Sequence, residues 1–259
     1  MKINKKTVLE AIARGSKTAK AGFSNEQDVI NIFNNWKTDK VAKEWLGAMN
    51  YNVSDIEFVK ATKVRGHYKA DIQVRIMIII KLKSQEDVQN LQVKLVSNPQ
   101  GFNQIDKRWV DKYVELWNIP SDLTAILKLF TGETIPTQSN LEDPRRMFLF
   151  EMSQSDQDKL IQFFTKNKIL IVSDLLKGRG EFSADWTLVI LKVGAEESRW
   201  MLKSINEVMN VFGKGEVRIT NQGGLKIGKI GMQRKGGDGG RKTASMLQFK
   251  INPVELFTE

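Results

Sequence analysis

From Ser24 onward the apolar residues Val29, Ile30, Phe33 and Trp36 recur at the spacing of one helical face. Ser24 stands ahead of them with Gln27 three residues on, the arrangement in which two side chains cap each other's backbone. The pattern predicts a helix there, a shorter one over residues 5–14, and another over Val41–Met49 after Asp39. The period then changes. Ile72, Val74, Ile76 and Ile78 alternate with Gln73 and Arg75 before the unbroken apolar run Ile76–Ile80, as in a half-buried strand that becomes fully buried. Strands are expected over Ile56–Val64, Ala70–Leu82 and Asn90–Val96, with polar Lys83–Gln89 as the tip of a hairpin.

Helical spacing returns at Lys107–Trp117, Asp122–Phe130 and Ser155–Asn167, separated by an irregular stretch, Thr134–Arg146, that holds Pro136 and Pro144. The apolar run Ile169–Leu176 and a strand over Trp186–Val193 follow, and Glu196–Phe212 includes another helix. Glycine-rich strands close the chain at Glu216–Thr220, Lys226–Gln233 and Met246–Ile251. This order predicts an α/β core with a β-rich C-terminal lobe. The 259 residues fit one domain, with a core of about residues 16–130 and a lobe of about 150–259.

Composition narrows the chemistry. Forty Lys and Arg face thirty Asp and Glu, and a formal charge of +10 implies an anionic partner, a nucleic acid or a membrane surface. No apolar run approaches the ~20 residues of a membrane span, so no membrane partner is expected. The basic N-terminus lacks the apolar segment of a secretory leader, and a cytoplasmic protein is expected. The chain has no cysteine, which excludes disulfides and Cys-ligated zinc or iron–sulfur sites. A single histidine, His67, excludes paired-histidine zinc sites, and no Gly-x-Ser-x-Gly elbow accompanies it. His67 reads best as a strand-edge or loop residue. An enzyme with this composition works through carboxylates, lysine and metal.

One constellation suits that chemistry: Asp71, then Gln92-Val93-Lys94. On a strand Gln92 and Lys94 share a face and Val93 points into the core. If Asp71 lies across a hairpin, a carboxylate, an amide oxygen and a lysine converge, a set suited to Mg²⁺ and a phosphate. A second feature is the stretch from Gly213 to Lys250, where nine Lys and Arg face only Glu216 and Asp238, a net +7, among ten glycines. No Walker pattern of glycines followed by Gly-Lys-Ser/Thr is present, so nucleotide binding is disfavoured. The stretch reads either as a solvated hairpin loop or as a basic loop entering a DNA groove.

The run Gln92-Val93-Lys94-Leu95-Val96-Ser97-Asn98, followed by Gly101-Phe102-Asn103-Gln104-Ile105-Asp106-Lys107, resembles the catalytic strand and following loop of type II restriction endonucleases of the HinP type. MspI-type enzymes are more distant cousins. The resemblance extends to Ser16–Lys20, Asp143–Phe148, Gly178–Phe182, Ile205–Val208, Gln233–Asp238 and Met246–Lys250. It implies a PD-(D/E)xK nuclease core, a mixed sheet flanked by helices, with a β-rich, basic C-terminal DNA-binding lobe. It further implies a restriction endonuclease of a restriction-modification system that cuts double-stranded DNA at a short palindrome, GCGC, beside a cognate DNA methyltransferase. Asp71, Gln92 and the main-chain carbonyl of Val93 then hold Mg²⁺, with Asp71, Gln92 and Lys94 catalytic. Gln92 occupies a position usually held by Glu or Asp, Ala70 replaces the expected Pro, and the Asp71–Gln92 spacing is slightly longer than in the family. Glu26 is a candidate ligand of a second metal or a carboxylate supporting the ligands from behind, or else an ordinary carboxylate at a helix N-terminus.

Base edges and phosphates are then to be met by Phe102, Asn103, Gln104, Asp106 and Lys107 after the catalytic strand. The second set of DNA contacts is Arg234, Lys235, Asp238, Arg241, Lys242, Ser245, Gln248 and Lys250. A palindrome suits a homodimer, and a monomer nicking each strand in turn is the other option. The competing classes are a repair or structure-specific nuclease on the same core and a DNA-binding protein without catalysis.

Overall fold

The computed structural model describes residues 26–258 except 67, 70, 81–82, 139–140, 193–197 and 238–240, with the backbone alone for 73–80 and 83–84. The helix expected over 5–14, the Ser24 cap, His67, Ala70 and Asp238 lie outside the described residues. The described chain forms two compact units. One comprises residues 26–101, 176–211 and 252–258, and the other Phe102–Leu175 and Phe212–Ile251.

The first unit is a five-stranded mixed sheet. Strands β1 (Ile56–Lys63), β2 (Ile72–Ile80) and β3 (Lys83–Val96) form an antiparallel meander. β5 (Trp186–Leu191) joins β3 in parallel, and β6 (Arg199–Ser204) closes the sheet antiparallel to β5, giving the order β1-β2-β3-β5-β6. Helices α1 (26–34) and α2 (Lys40–Ala48) supply apolar faces to the same core. Asp39 caps α2 by accepting from Ala42 N at 3.1 Å. Val29, Phe33, Trp45 and Leu46 are buried in one cluster with Ile72, Leu91, Val93 and Leu188, each large side chain contributing about 1.5–3 kcal/mol by leaving water. Asn34 ties α1 to β1, accepting from Ala61 N at 2.8 Å and donating to Ala61 O at 3.2 Å.

The second unit holds an antiparallel sheet in the order β4-β10-β9-β8-β7. Its strands are β4 (Asn103–Arg108), β7 (Val217–Ile219), β8 (Leu225–Ile227), β9 (Ile230–Arg234) and β10 (Leu247–Ile251). Helices α3 (Val110–Trp117), α4 (Ser121–Thr131), α5 (Gln154–Lys166) and α6 (Lys168–Leu176) precede the last four strands, and α7 (Ile205–Gly213) leads into them. Tyr113, Trp117, Phe164 and Phe249 form the aromatic centre, with Trp117 4.7 Å from Tyr113 and 5.6 Å from Phe249 between centroids. Trp117 Nε1 donates to Asp174 at 2.9 Å, which satisfies its one polar atom.

The α/β class, the mixed sheet and the β-rich C-terminal strands match the expected architecture. Four details differ. Lys83–Gln89 belongs to β3, not to a hairpin tip, and the β2–β3 ladder continues to Ile80↔Lys83. Asn103–Arg108 is a strand that starts before the expected helix, because its backbone pairs antiparallel with β10. The segment before α7 is the strand β6. The expected strand Lys226–Gln233 is a hairpin turning at Gly228, where φ is +58° and an added Cβ would lie 2.7 Å from Gly213 O.

Candidate functional site

Asp71 sits immediately before β2, and three main-chain contacts anchor it to its neighbours. Its N–H donates to Leu91 O at 2.8 Å, its carbonyl accepts from Val64 N at 3.0 Å, and its Oδ2 accepts from Val93 N at 2.7 Å. That last bond joins the carboxylate to the middle of Gln92-Val93-Lys94. Strand alternation turns Val93 into the apolar cluster, and Gln92 and Lys94 to the opposite face. Gln92 is 4% exposed, and its Nε2 donates to Lys69 O at 3.4 Å, which turns Oε1 away from that loop. Lys94 is half-buried on the same face.

These residues fit a hard cation with few protein ligands. No cluster of three or more His, Cys, Asp or Glu suited to a metal occurs among the described residues, and the set brought together here is one carboxylate beside neutral oxygens. Magnesium tolerates that arrangement, because it keeps several waters and takes one or two carboxylates plus phosphate oxygens. Thr187 is the register partner of Gln92 on β5, and its hydroxyl is buried with no hydrogen-bond partner, an unfilled polar position beside the amide. Glu26, in contrast, is ion-paired with Lys63.

A loop carrying Gly178–Asp185 supports this arrangement. Asn90, two residues before Gln92, donates from Nδ2 to Glu181 O at 2.9 Å, and its N–H donates to Asp185 Oδ2 at 2.9 Å. Phe182 packs against Tyr68 with centroids 4.7 Å apart and the rings tilted by 53°. Gly178 has φ of +79°, and a Cβ there would meet Lys69 Cγ at 2.3 Å, so the glycine lets this loop close on the residues preceding Asp71. Asn90, Asp185 and Thr187 were not singled out from sequence. Asn90 alone carried a signal, the same strand face as Gln92 and Lys94.

The other expected DNA contacts lie in the second unit. Gln248 on β10 is 5% exposed and donates from Nε2 to Gln104 Oε1 on β4 at 2.6 Å, while its own Oε1 has no partner. A register shift between Phe249 and Lys250 sits beside that pair. Phe102 is 53% exposed, Lys107, Arg241 and Lys242 are exposed, and Asn103 and Lys235 are partly so. Lys250 is half-buried, and that burial holds its ammonium below the usual lysine range. Arg234 donates from Nη2 to Ser245 Oγ at 3.3 Å, but its Nε is buried and without a partner.

Asp106 reaches the same strand yet turns inward. It is 9% exposed, and it accepts from Arg108 Nε at 2.9 Å, Arg108 Nη2 at 3.2 Å and Tyr113 OH at 2.7 Å. Burial, together with the carboxylate, pushes the Tyr113 hydroxyl far above its ordinary value. Both Asp106 oxygens are thus engaged within the fold.

A family model described as R.HinP1I restriction endonuclease matches residues 49–257. No curated protein matches the chain significantly. Among solved structures, the crystal structure of the restriction endonuclease MspI in complex with its cognate DNA superposes with a TM-score of 0.60. It is 16% identical in sequence, over 87% of this chain and 87% of that one, a likeness of fold.

Proposed function

The chain belongs to the R.HinP1I restriction endonuclease family and is a type II site-specific deoxyribonuclease, and from that premise we propose that it cuts double-stranded DNA at GCGC through Asp71, Gln92, Val93 and Lys94. The observation that carries this reading is the bond from Val93 N to Asp71 Oδ2, which ties the carboxylate to the strand bearing Gln92 and Lys94. Asp71, Gln92 Oε1 and the Val93 carbonyl would hold Mg²⁺, which when bound polarises the scissile phosphate and eases formation of hydroxide from water.

The rest of the work falls to the chain itself. With Oδ2 occupied by Val93 N, Asp71 keeps its other oxygen for ligation and cannot swing away. The Gln92–Lys69 bond fixes the amide so that its oxygen faces the reaction. Lys94 Nζ orients the attacking water and offsets charge that develops on the phosphate oxygens. A neutral amide in place of a carboxylate lowers the site's intrinsic attraction for cations, so a bound phosphate is needed to complete it.

Recognition falls to the second unit. Asn103, Gln104 and Gln248 present amides suited to base edges, and the unused Gln248 Oε1 is an acceptor for cytosine N4. Lys107, Arg234, Lys235, Arg241, Lys242, Ser245 and Lys250 offer donors to guanine or to phosphates, with Asp238 alongside them in sequence, and Phe102 is placed to wedge a base step. A cognate DNA methyltransferase would protect the host's own sites, and either a homodimer or a monomer acting on each strand in turn would serve. The test is digestion of a plasmid with Mg²⁺ and sequencing of the fragment ends. Discrete bands ending within GCGC are expected. Random nicking would point to a repair-type nuclease instead, and intact but retarded DNA to binding alone.

A further inference from the structure

The segment Asp143–Phe148 has no assigned part in binding DNA, yet it carries a guanidinium whose environment asks for an anion. Arg146 lies over the Phe148 ring, with its guanidinium carbon 4.1 Å from the ring centroid, and 5.9 Å from that of Phe130. Its side chain is 18% exposed. Nε is buried without a hydrogen bond, although Asp143 Oδ2 stands 3.5 Å away as an ion-pair partner. That carboxylate is already committed, because Arg145 grips it in bidentate fashion, Nε to Oδ1 at 2.8 Å and Nη2 to Oδ2 at 3.0 Å. Arg234 shares both of the concavities that Arg146 lines and likewise has a buried Nε with no partner. Burial holds both guanidiniums below their ordinary range, and the charge of Arg234 pushes Arg146 further in that direction.

Two half-buried guanidiniums beside one carboxylate, itself taken by a third arginine, leave uncompensated positive charge. A base edge would satisfy one fork with neutral acceptors and leave the charge standing. A phosphodiester brings a full negative charge and enough oxygens for both forks. We propose that Arg146 and Arg234 together clamp one phosphate of the DNA backbone, so that Arg146 is a DNA contact that anchors the duplex and carries no sequence information. This rests on the duplex-DNA reading above.

The test measures binding of the full chain in EDTA to two duplexes, one with GCGC and one without it, over a range of salt. Arg146→Gln is expected to weaken both by the same factor, roughly tenfold, and to lower the slope of log K against log salt by about 0.9, one phosphate's worth. A methylphosphonate placed at successive backbone positions should, at one position, weaken the wild-type protein at least as much, and weaken Arg146→Gln, which keeps only the Arg234 contact there, by a clearly smaller factor. Arg146→Lys should keep the salt slope and lose part of the affinity, and it carries the test if Arg146→Gln melts early. Loss confined to the GCGC duplex would make Arg146 a base reader and overturn the proposal, as would an unchanged affinity and slope. Wild-type protein that binds neither duplex would bring down the DNA reading together with it.

Discussion

Replacing Asp106 by Ala separates two roles that its place on β4 would allow. If the carboxylate read a base, its loss would relax specificity and leave the fold intact. The geometry indicates the reverse. The bond from Tyr113 OH at 2.7 Å joins a fully buried donor to a charged acceptor, the class worth about 1.5–3 kcal/mol. The Arg108 pair adds at most ~1 kcal/mol, because Arg108 is 42% exposed. The expected cost is therefore about 2–4 kcal/mol, which for a chain of this size lowers Tm by roughly 5–15 °C. Thermal melting followed by circular dichroism gives the first number. Cleavage rates on GCGC and on each single-base variant, at a temperature where the mutant is folded, give the second. The reasoning fails if Tm stays within ~2 °C of wild type while discrimination at one base pair drops by tenfold or more.

Lys94→Ala should leave DNA binding unchanged and lower single-turnover cleavage by at least about a hundredfold; cleavage at the wild-type rate with Mg²⁺ would remove Lys94 from the mechanism. Gln92→Glu adds a second carboxylate to the site, so the Mg²⁺ concentration for half-maximal cleavage should fall, and an unchanged or higher requirement would count against Gln92 as a ligand. Thr187→Val removes a buried hydroxyl that has no partner, and Tm should hold or rise by a few degrees, whereas a clear fall would reveal a hydrogen bond to it. Hydrogen bonding from Arg145 holds the Asp143 carboxyl at about 2, below its ordinary 3.8, so its contribution to stability is present above about pH 4 and is lost as pH falls towards 2. Acid melting curves of Asp143→Asn should lack that component, and identical curves for both proteins would show that the pair contributes nothing.

The sequence revealed most where one local period controlled structure. Val29, Ile30 and Phe33 announced α1, which buries that face in the core of the first unit, and the Ile72–Ile80 pattern announced the extended backbone of β2. Pairing partners distant in sequence were less legible. Asn103–Arg108 has little hydrophobic alternation of its own, and it is a strand because β10, some 140 residues later, supplies the other half of its ladder. Lys83–Gln89 is polar enough to read as a turn, yet pairing with β2 keeps it extended. The candidate centre followed the same division. Gln92 and Lys94 share a face by strand period alone, whereas the nearness of Asp71 depends on register, and Thr187 enters only through parallel pairing with β5.

Charge shows the same limit of composition and also what pairing adds to it. The Gly213–Lys250 stretch stood out for its net +7, but that number does not say which cations are free to meet a ligand. In the second unit two carboxylates are each committed to a neighbouring arginine, Asp106 to Arg108 and Asp143 to Arg145. Those pairs fix strand and loop geometry and take no charge from outside the fold. The half-buried Arg146, Arg234 and Lys250 are left with burial pushing against their charge and with too few acceptors to offset it. A group in that state gains more from an anion than an exposed lysine does, because its desolvation has already occurred in the folded protein. Ligand affinity should therefore concentrate on these few positions, and exposed Arg241 and Lys242 should matter chiefly at low salt, where long-range attraction speeds encounter.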